Sequence, residues 1–263
     1  MKKFTLVLLL SWIIGYSRAV AGQLRIMNGS PADVGQFPYQ AYITDDLTGA
    51  CGASIIHKRW LLTAAHCRLY ASHAYAIVGA IYKTGLNGTR YNYEKFIKHS
   101  NFVVSQRRNR VSNDIALIRL SKDIQFTKHV QPIKLATDPW NDYANVSATL
   151  SGWGIRSPRG GLTSSRLYYA SLKVIGENEC GQLWRTVMDN QICTGGSIHQ
   201  PDRTAACIGD SGGPLVYENR QIGVASYGHG LCGVYLPDVY TRVSRYLSWI
   251  EKQLQFHSDK LSW

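Results

Sequence analysis

The feature that most restricts the fold is a recurrence of short apolar runs, each too brief for a helix. From Tyr39 onward, runs rich in Val, Ile, Tyr and Thr alternate with turn residues, as at residues 54–56, 75–78, 115–120, 147–150, 215–217 and 222–226. That alternation is the pattern of β-strands joined by short connections. Helical periodicity emerges only near the end, where Val243, Tyr246, Leu247, Ile250 and Leu254 fall on one helix face. Many short strands with one terminal helix predict an all-β molecule of packed sheets or barrels. A chain of 263 residues, 45% of them hydrophobic, can build one sizeable core or two packed halves. The turn-rich stretch 136–143 is placed as the crossover between halves. No low-complexity segment or repeat of solenoid period is visible.

The first 21 residues read as a secretory signal. Lys2 and Lys3 precede an apolar run from Phe4 to Ile14, and Ala19-Val20-Ala21 suits cleavage after small residues. The alternative is an N-terminal anchor, but the run is short for a membrane span. Residues 22–25 then form a short leader ending in Arg25, followed by Ile26-Met27-Asn28-Gly29. A basic residue before an apolar one invites cutting by a trypsin-like enzyme; the alternative is a frayed terminus. In a secreted chain, six cysteines point to three disulfides rather than a metal site, and sequence alone does not choose their pairing. Asn28, Asn87 and Asn145 begin Asn-x-Ser/Thr motifs and are glycan acceptor candidates. The net charge is +12, and without residues 1–25 it is +8, from 25 basic and 17 acidic residues. Only Arg107, Arg108 and Arg110 cluster, and no nucleic-acid motif accompanies them, so the charge reads as solvated surface.

Three local patterns carry chemistry. Thr63-Ala64-Ala65-His66-Cys67 sets a histidine beside a cysteine, and Asn113-Asp114 opens the apolar run Ile115-Ala116-Leu117-Ile118. Gly209-Asp210-Ser211-Gly212-Gly213-Pro214 sets a serine on a glycine-rich turn. Each alone can be structural, the last as a polar surface turn. A serine needs a base and an orienting acid to act as a nucleophile, and the three patterns supply them in the order His, Asp, Ser. With these motifs the chain resembles the trypsin/chymotrypsin-type serine endopeptidases from Ile26 through the terminal helix.

The resemblance implies two packed six-stranded antiparallel Greek-key barrels, about 26–135 and 136–242, with a C-terminal helix at about 243–255. Ser211 is then the nucleophile, His66 the general base and acid, and Asp114 the residue that orients His66. The backbone N–H groups of Gly209 and Ser211 form the oxyanion hole. The implied disulfides are Cys51–Cys67, Cys180–Cys193 and Cys207–Cys232. Cutting after Arg25 frees the Ile26 amine to pair with Asp210, so the uncut chain is expected to be a zymogen. In place of the family's usual residues after the leading Ile stand Met27, Asn28 and Gly29.

The substrate pocket departs from the trypsin pattern. Ala205, followed by Ala206, stands where trypsin-like members carry an acid six residues before the serine. The expected pocket comprises Ala205, Ala206, Ile208, Ser226, Tyr227, Gly228 and Asp238, with Asp238 where the family commonly has Gly. Either Asp238 reads basic side chains, giving mixed Arg/Lys and bulky apolar specificity, or it is hydrogen-bonded away and the pocket is chymotrypsin-like. Ala80 and Asn87-Gly88-Thr89-Arg90 lack the acidic cluster of calcium-binding relatives, so no metal and no cofactor is expected. The expected partners are protein or peptide substrates, an activating protease and protein inhibitors, with no nucleic acid or membrane, for a secreted monomer. The rival class is a catalytically inactive relative serving as a binding or toxin module.

Overall fold

The computed structural model describes residues 29–47, 49–69, 73–105, 110–155, 161–184, 187–195, 204–229, 232 and 236–257. The signal, the leader, Arg25, Ile26, Asn28, Arg107 and Arg108 lie outside the described residues. Six antiparallel strands close the first barrel, in the order Gln40–Thr44, Ala50–His57, Trp60–Thr63, Ala116–Leu120, Thr89–Lys98 and Tyr75–Val78. A second ring closes through Ser147–Gly152, Tyr168–Ile175, Gln191–Thr194, Asp238–Arg242, Arg220–Tyr227 and Pro214–Tyr217. In chain order the two rings have the same connectivity: the third strand of each pairs with its sixth, and the fourth with its first. This is the Greek-key closure, and it leaves no ring strand with an open edge.

The first barrel is filled by side chains shielded completely from solvent, including Ile43, Ile55, Trp60, Leu61, Leu62, Leu117, Ile118 and Leu120. Val243, Tyr246, Ile250 and Leu254 join that same core, so the terminal helical segment packs on the first barrel although it follows the second. It opens as a 3-10 turn, Val243–Tyr246, and becomes α-helical at Leu247–Phe256. The strand Asp238–Arg242 leads straight into it, and no side chain caps its first turn, which favours a tightened start. A second core of Ala148, Leu150, Leu172, Val174, Leu215, Ile222 and Tyr240 fills the other barrel.

Three disulfides join Cys51 to Cys67, Cys180 to Cys193 and Cys207 to Cys232. The expected strands form with longer boundaries in most cases. Residues 136–146 cross between barrels without contributing a ring strand. Thr89–Lys98 is not among the runs singled out by alternation, because its polar side chains are largely exposed and mask the pattern. The helix Glu177–Leu183 was also not expected: it buries only Cys180 and is too short to show a periodic face. Among the described residues, no helix is long and apolar enough to cross a membrane.

Candidate active site

The apolar strand Ala116–Leu120 anchors the site by placing Asp114 just ahead of it, in the interior. Asn113 turns the chain with φ 53°, and its side chain is held at both ends. Its amide donates to Asn101 O at 2.8 Å, and the Tyr246 hydroxyl donates to its carbonyl at 3.0 Å. Asp114 is 1% exposed. A carboxylate so buried is costly unless donors surround it, and they do. The His66 backbone N–H reaches Oδ1 at 2.9 Å, while His66 Nδ1 and the Ser226 hydroxyl reach Oδ2 at 2.7 and 2.6 Å. Thr241 Oγ1 donates to the Asp114 backbone carbonyl at 2.8 Å. Because the carboxylate accepts from Nδ1, the ring proton of neutral His66 sits there, leaving the Nε2 lone pair able to take a proton.

The Ser211 turn is pinned to the wall that carries His66. Gly52 N donates to Ser211 O at 2.8 Å, and Gly212 N donates to Ala225 O at 2.8 Å. Gly212 has φ +75°, and a Cβ there would lie 2.2 Å from Thr63 Oγ1, so only glycine fits. The N–H groups of Gly209 and Ser211 donate to no backbone carbonyl among the described residues. Asp210 is fully buried. Its oxygens accept from Gly154 N at 2.8 Å and Cys207 N at 3.0 Å. Burial pushes its pKa up from 3.8 to about 6, against the pull of those donors and of the Lys83 charge.

Beside Ser211 opens a cavity of about 240 Å³, lined in part by Ala206, Ile208, Ser226, Tyr227, Gly228 and Asp238. Ala205 is not on that lining. It is buried in a small cluster with Ile155, Cys207 and Cys232. Asp238 is buried, and its Oδ2 accepts from Ala206 N at 2.7 Å. Its Oδ1 faces Gly228, where a Cβ would approach to 2.7 Å. Tyr227 stacks edge-on against Trp184 at 5.4 Å, and burial pushes its hydroxyl up to about 12. His229, Val239 and Tyr240 also line the cavity but carry no local motif that marks them in the sequence. The hydrogen bonds from Ser226 and Thr241 to Asp114 were likewise invisible there, since they join residues more than a hundred positions apart.

Potential ligand atoms of Cys51, His66 and Cys67 lie within 4.8 Å of one another, but both sulfurs are spent in a disulfide and are not available as thiolate ligands. Lys83 and Arg90 line a cleft with Asp46, and Arg90 stacks 3.4 Å over the Tyr75 ring. Asn87 and Asn145 are exposed on turns with φ 63° and 67°.

Comparison with known proteins agrees with this geometry. The trypsin family model matches residues 26–250. Chymotrypsin-2 of Vespa crabro is 38% identical over 86% of this chain and 99% of its own length. A chymotrypsin of Phaedon cochleariae is 32% identical over 90% of this chain and 83% of its own. Among solved structures, mouse neuropsin, a serine protease expressed in the limbic system of the brain, superposes with a TM-score of 0.77 at 28% identity, covering 86% of this chain and 99% of neuropsin. The pairing of His66 with Asp114, the family match and these relatives together place the chain in the trypsin family of serine endopeptidases.

Proposed function

We propose that this peptidase cleaves protein substrates through an acyl-enzyme on Ser211. His66 Nε2 takes the serine proton and returns it to the leaving amine, while Asp114 holds the ring and balances its charge. Gly209 N and Ser211 N stabilise the oxyanion that forms during attack. The observation that carries this reading is the His66–Asp114 pair, 2.7 Å apart and shielded on the acid side. An irreversible serine-directed phosphonate is expected to label the activated chain at one site and to leave Ser211→Ala unlabelled. Absence of labelling after confirmed cleavage at Arg25 favours the inactive binding or toxin module instead.

The chain is proposed to be secreted by its 1–21 signal, glycosylated at one or more of its acceptor sites, and kept inactive until a trypsin-like protease cuts after Arg25. What supports activation is the state of Asp210. It is a fully buried carboxylate whose oxygens receive only backbone donors among the described residues. A new Ile26 ammonium would supply the missing countercharge.

Two specificities have structural support. The Oδ1 atom of Asp238, facing Gly228 at the cavity wall, favours acceptance of Arg or Lys beside bulky apolar side chains. The hydrogen bond from Ala206 N to Oδ2 favours a chymotrypsin-like pocket in which the charge is spent internally. Reporter peptides ending in Arg, Phe and Leu separate them. With Asp238 as reader, Asp238→Gly lowers kcat/KM for Arg by about 10²-fold, the scale of one charged contact, and spares Phe. Equal Arg cleavage in both proteins assigns the chymotrypsin-like pocket.

A further inference from the structure

A second cleft, of about 530 Å³, is bordered in part by Lys83, Thr163, Ile208 and Gly209 and shares Ile208 with the substrate cavity. Lys83 arrives from the first barrel. Its backbone N–H donates to Ser165 O at 3.0 Å, and its ammonium donates to Thr163 Oγ1 at 2.5 Å. The same ammonium sits 5.6 Å from the Tyr42 ring centroid. Thr163 is the wedge behind the turn: a Cβ on Gly209 would lie 2.9 Å from the Thr163 methyl carbon. The segment holding Thr163 is tied to the turn in two further ways. Ile155 bridges Thr163, and Ile155 N donates to Ile208 O at 2.8 Å.

We propose that Lys83 is a positioning residue for the oxyanion turn, bracing Thr163 against Gly209 from the first barrel and setting a positive charge behind the turn. Gly209 has φ +99°, a conformation that glycine adopts freely and can also leave freely. An N–H donor contributes to the transition state only while it is held in place. A contact that blocks Gly209 from moving back into the cleft therefore acts on the chemical step and not on substrate binding. The charge has a second effect. Burial lowers the pKa of Lys83, and the Asp210 carboxylate raises it again; reciprocally, Lys83 favours the ionised form of Asp210. The buried Tyr240 phenol also senses Asp210 and stays neutral.

The proposal rests on the serine-protease reading, and the test separates the two. Activated wild type, Lys83→Met, Lys83→Arg and Thr163→Val are titrated with the phosphonate, then assayed on a peptide whose leaving group is a small chromophore. Lys83→Met keeps the aliphatic stem, and its kcat is expected to fall about tenfold, less than the loss of a donor itself. KM should stay within about twofold. Thr163→Val should share the loss, the double variant should add little to it, and arginine should restore most of the rate. If wild type is not labelled, the protease reading falls and this proposal with it. If wild type is labelled and Lys83→Met keeps its kcat, the bracing role alone is overturned. A loss that arginine does not restore and Thr163→Val does not share also overturns it, because general damage to the fold would look that way.

Discussion

At the scale of single residues, Asp210 connects burial, charge and the pH at which the chain is stable. Its folded pKa is about 6 against an ordinary 3.8, so between those values the folded chain binds a proton that the unfolded chain has released. The stability held by the protonated form is complete below about pH 4 and is lost as pH rises through about 6. A shift of this size corresponds to about 3 kcal/mol. Urea titrations of the uncut chain in a Ser211→Ala background should show that loss between pH 4 and 6.5. The same series with Asp210→Asn added should lack it, and parallel curves for the two proteins would remove Asp210 as the cause. The residues around Asp210 also show how far a sequence reading reaches. His66, Asp114 and Ser211 were legible because each sits in its own local motif. The Ser226 hydroxyl on Asp114 and the Lys83–Thr163 contact were not, since each is made by chain segments far apart in sequence.

At the scale of elements, the terminal helix is the clearest case of a sequence pattern becoming packing. Its apolar stripe was legible from the spacing of Val243, Tyr246, Ile250 and Leu254, but the surface it covers was not, because periodicity says nothing about the partner. The structure lays it on the first barrel, where Ile250 is fully buried, and runs from Tyr246 through Asn113 to the turn carrying Asp114. Ile250→Ala should cost about 2–5 kcal/mol, combining lost burial with a cavity. Lys252→Ala on the exposed side should cost under about 0.5 kcal/mol. Equal unfolding midpoints for the two variants would show that the helix is not an integral part of the core. The identical connectivity of the two rings came from the family resemblance and not from the strand pattern, for a related reason. A shared hydrogen-bonding order demands apolar alternation in each strand but no common residues.

At the scale of the whole molecule, the site depends on how two barrels meet, and their contact is polar as well as apolar. Ser54 and Gln221, both fully buried, face each other across it, with the serine hydroxyl donating to the glutamine carbonyl at 2.6 Å. Ser151 donates to Gln40 in the same way at 2.7 Å, and Gly52 N holds Ser211 O. His66 and the two cysteines beside it come from one barrel, whereas Ser211 and Ser226 come from the other, so relative sliding would alter the spacing between the base and the nucleophile proposed above. Apolar packing tolerates small slides; a buried hydrogen bond does not, because either group left unpaired pays its full desolvation. Ser54→Ala strands the Gln221 carbonyl and should destabilise the chain by about 1–3 kcal/mol, read by urea unfolding. If these bonds set the barrel register, kcat should fall as well while the folded fraction stays near unity at assay temperature. Loss of stability with kcat intact would mean that the disulfides and the cores hold the register without them.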